Sequence, residues 1–227
     1  MRRLVALLAA VLVTAVSAAA AAAGTFTLHP SGFGEHSYSA WNAHQGLPDS
    51  TGNQDQALYF QKMTTTATNA AGVAVIKGFE GLPVSSLSRL EFWVGTDGHC
   101  GAGAPRFDVF VQLPGGMQQT VFIGCQEMTP GPTIPAPSGR PFQQRSYTGP
   151  FPQVGTITGI AIVFDEGNDV GPGFVYLDDI TVATTTVAHT WTSASDNGNG
   201  ETITQDPTGA DFLATIMGVP LSMLFPT

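Results

Sequence analysis

Apolar and polar residues alternate most regularly between Leu87 and Cys125. In Leu90–Val94 a period of two sends Leu90, Phe92 and Val94 to one side and Glu91 and Trp93 to the other. In 106–113 the same period separates Phe107, Val109, Val111 and Leu113 from Arg106, Asp108, Phe110 and Gln112. Pro114-Gly115-Gly116 then punctuates the pattern before Thr120–Gly124, which predicts a hairpin with one apolar face and one mixed face.

Similar short runs rich in branched and aromatic residues occur at Ala57–Met63, Val73–Phe79, Thr156–Phe164 and Gly173–Thr184, with a first short strand near Thr25. The segment after Leu28 reads as a long loop carrying Phe33, Tyr38 and Trp41, aromatics that pin a loop to a core or stack on a ligand. Gln126–Pro152, rich in proline and glycine and without a period, reads as a long crossing loop. About eight short strands and no convincing helix before residue 206 predict an all-β, antiparallel β-sandwich of jelly-roll type. After Thr186 the texture changes. A hairpin turning at Gly198–Gly200 and a short capped helix over GADFLATIMG are expected in a C-terminal appendage, 187–227, beside a sandwich domain spanning 24–186.

The first residues add a compartment. Arg2 and Arg3, an apolar run from Leu4 to Val16 and a tract of alanines have the three-part form of a secretory signal peptide, here 1–23, which implies a secreted, extracellular protein. No later stretch is apolar for the ~20 residues that a spanning helix needs, so no transmembrane segment is expected once the signal is removed. Without Arg2 and Arg3 the 8 basic residues become 6, against 17 acidic ones. A surface of that charge disfavours nucleic acid as a partner. In an oxidising compartment Cys100 and Cys125 are expected to form one disulfide. Closing a loop of about 25 residues, it would contribute about 3.5 kcal/mol in the chain-entropy model.

The chain has no HExxH, GxSxG, P-loop or CxxC pair, and its five histidines show no metal-ligand spacing. Glu91 and Asp108 would share the mixed face if their strands pair, the one arrangement of acids that suggests glycoside hydrolysis. The stronger expectation is binding. Trp93, Phe110, Glu91, Arg106, Asp108 and Gln112 combine aromatic surface with hydrogen-bonding groups, as sugar recognition requires. Against it stands a buried second face, with Arg106 tied to an acid such as Asp178. Aspartate is depleted in strands, so Asp178-Asp179 within GFVYLDDITV calls for a bridge to a cation, either Arg106 or calcium. Asp165, Glu166, Asn168 and Asp169 form a further acidic turn, solvated or calcium-binding.

The run VYLDDITV resembles the closing strand of jelly-roll carbohydrate-binding modules and the related galactose-binding-like domains, and the order of elements from residue 24 to 186 is compatible with them. GHCGAGAPRF resembles a motif of exported bacterial proteins. The first resemblance implies a role for Asp178 or Asp179 in holding a structural calcium and an extracellular glycan as partner. Together these readings predict a non-catalytic binding domain for carbohydrate or another extracellular ligand. A structural or cell-surface sandwich without a small ligand is the alternative, and a polysaccharide hydrolase or lyase comes third.

Overall fold

The structure, a computed structural model, describes residues 25–34, 37–49, 54–62, 70–101, 103–165 and 173–194. These form twelve strands and one 3-10 turn, Val84–Ser86, with no α-helix among the described residues. In chain order the strands are β1 Thr27–Phe33, β2 Ser37–Asn42, β3 Ala57–Lys62, β4 Ala71–Lys77, β5 Leu87–Gly95 and β6 Arg106–Gln112. They continue with β7 Gln118–Gly124, β8 Thr129–Pro135, β9 Pro141–Tyr147, β10 Thr156–Phe164, β11 Gly173–Thr184 and β12 Ala188–Trp191.

Two antiparallel sheets face each other. One has five strands in the order β1-β4-β10-β6-β7, and the other has seven, β2-β3-β11-β5-β9-β8, with β12 added beside β11. Strands consecutive in sequence repeatedly change sheet, as β3–β4, β5–β6 and β10–β11 do, which gives the jelly-roll type of β-sandwich that the alternation predicts. The core between the sheets takes one residue in two from each central strand: Leu90, Phe92 and Val94 from β5, Phe107, Val109 and Val111 from β6, and Ile160, Ile162 and Phe164 from β10. Phe92 and Phe107 meet across the core with ring centroids 5.6 Å apart. Truncating either to alanine would cost about 3–5 kcal/mol.

The structure corrects several expectations. β5 and β6 do not pair, because each lies in a different sheet. The hairpin predicted at Pro114-Gly115-Gly116 does form, between β6 and β7, turned at Gly115 and Gly116 with φ of 88° and 87°. The segment expected to be a long loop after Leu28 supplies β1 and β2, and the expected crossing loop at 126–152 contains the β8–β9 hairpin. Every side chain of β8 is exposed and three of its residues are prolines, which an edge strand tolerates because its outer N–H groups need no partner. β12 lies in the segment assigned to the appendage. It pairs with β11, and Trp191 is fully buried in the core. The sandwich therefore extends to at least Trp191; the predicted turn at Gly198–Gly200 and the helix over 209–218 lie outside the described residues.

The sandwich is closed differently at its two sides. Where β1 and β4 pass β2, a Cβ at Gly32 would stand 2.4 Å from the Ser37 carbonyl oxygen and one at Gly72 would stand 2.6 Å from that of Tyr38. Backbone meets backbone there, and only glycine fits. Elsewhere the disulfide Cys100–Cys125 joins the β5–β6 connection to the end of β7, where the Cys125 amide also donates to the Pro105 carbonyl at 2.9 Å.

Candidate functional site

The outward side of the seven-stranded sheet carries aromatic residues at the positions that alternate with the core. In β3, Leu58 and Phe60 point inward, so Tyr59 points out; in β11, Val175 and Leu177 point inward, so Phe174 and Tyr176 point out. Tyr59 pairs with Tyr176 on one side and with Ala40 on the other, and Tyr38 of β2 stands one step away on the same face. The rings touch in sequence: Tyr38 to Tyr59 at 6.0 Å, Tyr59 to Tyr176 at 4.9 Å, and Tyr176 to Phe174 at 6.1 Å between centroids. All four are half-buried. Burial, with Tyr38 and Tyr176 close by, raises the Tyr59 hydroxyl above its ordinary pKa, so the phenol stays neutral and able to donate.

Arg140, between β8 and β9, extends this row. Its guanidinium lies 4.0 Å from the centre of the Tyr176 ring, a cation–π contact, and is held by Asp97 and by Gln45 Oε1 at 3.1 Å. Gly95, which neighbours Tyr176 in the sheet, makes room for it, since a Cβ there would sit 3.2 Å from Arg140 Cδ. Asn42 Nδ2 reaches the Tyr176 hydroxyl at 3.5 Å. The result is a strip of rings crossing β2, β3 and β11, ending at a fixed cation and bordered by amide side chains.

The predicted binding residues divide between this face and another. Trp93 and Glu91 do belong to the outward side of the seven-stranded sheet, opposite Asp178 and Thr181. Trp93 is half-buried and packs in a small cluster with Leu47, Ala57, Ala136 and Phe142, under the β2–β3 connection. Glu91 is buried and lies 3.6 Å from Arg89. Arg106, Asp108, Phe110 and Gln112 are on the five-stranded sheet. The first three are 2%, 0% and 0% exposed, and only Gln112 is open to solvent. The six residues therefore do not make one surface, and Glu91 and Asp108 cannot face each other across a cleft. Trp41 packs partly buried against the core.

Arg106 is tied to acids, but not to Asp178. Its Nε donates to Asp108 Oδ1 at 2.8 Å and its Nη1 to Asp165 Oδ1 at 2.6 Å. Lys62, from the opposite sheet, donates to the Asp165 carbonyl at 2.7 Å, so Asp165 itself is a buried tie between the sheets, while Glu166, Asn168 and Asp169 of the acidic turn lie outside the described residues. One guanidinium serves two carboxylates. Burial pushes the Asp108 carboxyl well up, and the Arg106 charge only partly offsets this.

Asp178 and Asp179 have separate roles. Asp178 Oδ2 accepts the Leu47 N–H at 2.6 Å and Oδ1 accepts the Asp179 N–H at 2.8 Å, fastening the β2–β3 connection onto the sheet. Gly46 allows that approach, because a Cβ there would come within 2.4 Å of Asp178 Oδ2. Asp179 sits in a bulge of β11 with φ of 45°, a left-handed conformation that aspartate tolerates better than branched residues do. A bulge and an anchor thus account for two aspartates in a strand. Among the described residues no group of three or more His, Cys, Asp or Glu side chains is placed to hold a metal ion.

No known protein family and no curated protein matches the chain. The solved structures that show similarity include two carbohydrate-binding proteins. The first holds the N-terminal CBM22-1–GH10 modules of the Clostridium thermocellum endo-1,4-β-D-xylanase 10B complexed with xylohexaose, at 14% identity and a TM-score of 0.38, covering 70% of this chain and 26% of that one. The second is of carbohydrate-binding modules from the β-sandwich superfamily with promiscuous specificity, at 14% identity and a TM-score of 0.34, covering 72% of this chain and 58% of that one.

Proposed function

We propose that the protein is an exported, non-catalytic binding domain that takes a carbohydrate on the outward face of its seven-stranded sheet. The observation that supports this reading is the strip Tyr38, Tyr59 and Tyr176, whose neighbouring rings stand 6.0 and 4.9 Å apart and end at the Arg140 cation. Sugar rings bring C–H faces that stack on aromatic surfaces and hydroxyls that need donors and acceptors at the rim. Tyrosine hydroxyls, Asn42, Gln45 and Arg140 provide such groups here. The strip runs across the strands, so an extended glycan would lie across β2, β3 and β11.

Affinity electrophoresis against a panel of soluble neutral polysaccharides, followed by calorimetry on any that retard the protein, tests the reading. Tyr59→Ala and Tyr176→Ala should each weaken binding at least tenfold, or about 1.4 kcal/mol, while the unfolding temperature stays within a few degrees of the parent. If no polysaccharide retards the parent protein, or if both variants bind as it does, the assignment fails. Trp93→Ala, by contrast, should act mainly on stability because its ring is packed beneath Leu47.

A further inference from the structure

The outward face of the five-stranded sheet poses a separate question. Core residues of β4, β6 and β10 alternate with Val73, Val75, Phe110, Ala161 and Val163, which therefore point away from the sandwich. These five are 0–1% exposed. No described strand is stacked upon them, since β2 and β3, the strands of the other sheet that approach this one, do so from the core side and the β1 edge. Asp108 points the same way, and its Oδ2 is buried without a hydrogen-bond partner. A continuous aliphatic surface of this kind, excluded from water, needs a cover.

The same chain carries an apolar stretch in want of a partner. From Phe212 to Phe225, FLATIMGVPLSMLF, no residue is charged, and between 195 and 227 there is no lysine, arginine or histidine. The described chain ends at Ala194, shortly after β12, whose His189 stacks at 5.3 Å on Phe26 at the start of β1, the edge strand of the five-stranded sheet. From Ala194 to Phe212 the backbone can span about 60 Å, against a separation of about 10 Å between packed sheets. Length and starting point thus both allow it to pass round that edge.

We propose that the outward face of the five-stranded sheet is the docking surface for the chain's own C-terminal segment, with Phe212–Phe225 lying against Val73, Val75, Ala161 and Val163. The two outward faces of the sandwich then have different occupants, one an external ligand and the other a part of the same molecule. This inference is independent of the carbohydrate reading.

The test uses the full chain with Ser222→Cys carrying a nitroxide, the native cysteines being already joined. The methyl signals of Val73, Val75 and Val163 should broaden strongly, and those of Val94 and Val182, on the inner side of the other sheet, much less. Equal broadening of both sets, or none at Val73 and Val163, overturns the proposal. A sample in which labelled chains are mixed with isotope-enriched unlabelled ones distinguishes the donor: broadening between chains assigns the cover to a second copy and also overturns it. As a second reading, L213D combined with I216D in the full chain should raise the fluorescence of a dye that binds apolar surface and lower the unfolding temperature by 5 °C or more. Unchanged values for both would count against the proposal equally.

Discussion

On the outward side of the seven-stranded sheet, the positions between core residues hold Tyr38, Tyr59, Tyr176 and Trp93, all half-buried. On the outward side of the five-stranded sheet, the corresponding positions of the central strands hold Val73, Val75, Ala161 and Val163, all fully buried. The backbone geometry is the same in both, a pleated strand that shows one residue in two to each side. The difference lies in the side chains. Tyrosine offers a ring to a ligand while its hydroxyl stays in contact with water, whereas valine gains only from being covered. The charges follow the same division. Arg140 lies over a ring at the rim of the first face, and Arg106 is locked between two carboxylates inside the second.

Three changes would break or sharpen this contrast. The largest effect is expected from Arg106→Met, which leaves Asp108 and Asp165 buried without their shared cation. Removing one partner of such a group costs about 3–5 kcal/mol. Urea unfolding should show this loss, and the double variant Arg106→Met, Asp108→Leu should recover part of it. A loss below 1 kcal/mol would mean that this face is far wetter than its burial indicates.

A smaller effect concerns pH. Burial pushes the Asp178 carboxyl from 3.8 up to about 8, with the Leu47 and Asp179 amides opposing it only in part. In the unfolded chain the same group ionises near 3.8. Between these values the folded chain binds more protons than the unfolded one, so the stability from this group is fully present below about pH 4 and is lost as pH rises through about 8. Asp178→Asn should therefore flatten the dependence of the urea midpoint on pH between about 5 and 9. Any fall that remains belongs to Asp108 and Asp179, whose carboxyls burial shifts in the same direction. A profile as steep as the parent's would remove Asp178 from the account.

The smallest effect is expected at Arg89, which is 46% exposed and 3.6 Å from Glu91. Arg89→Ala should change stability by less than about 0.5 kcal/mol, as exposed ion pairs usually do. A larger loss would show that Glu91 depends on this pair for its burial.

The core face of each strand was legible because a period of two marks it. β10 and β11 begin and end at the predicted residues, and β3, β5 and β6 are found within a few residues of their predicted places. Periodicity says which side of a strand is apolar, but not which sheet the strand joins. β5 and β6 have the same pattern and are neighbours in sequence, yet they lie in opposite sheets, so a surface assembled from both divided into two. β8 gave no signal because it buries no side chain. The aromatic strip did leave one. In ALYFQK and GFVYLDD the positions between core residues hold Tyr59, Gln61, Phe174 and Tyr176, where a merely solvated face would carry small polar or charged groups.

Trp191 also bears on the order in which the molecule can be completed. Its ring lies 6.5 Å from Phe79 and 4.6 Å from His189, which in turn stacks on Phe26. The first and last parts of the described chain thus meet in one corner of the core. A chain emerging from its N-terminal end cannot fill that corner until Trp191 has been made, so the native packing is reached only when nearly the whole sandwich is available. If the chain is exported as proposed, such a late keystone would keep it loose during passage and let it lock on the far side.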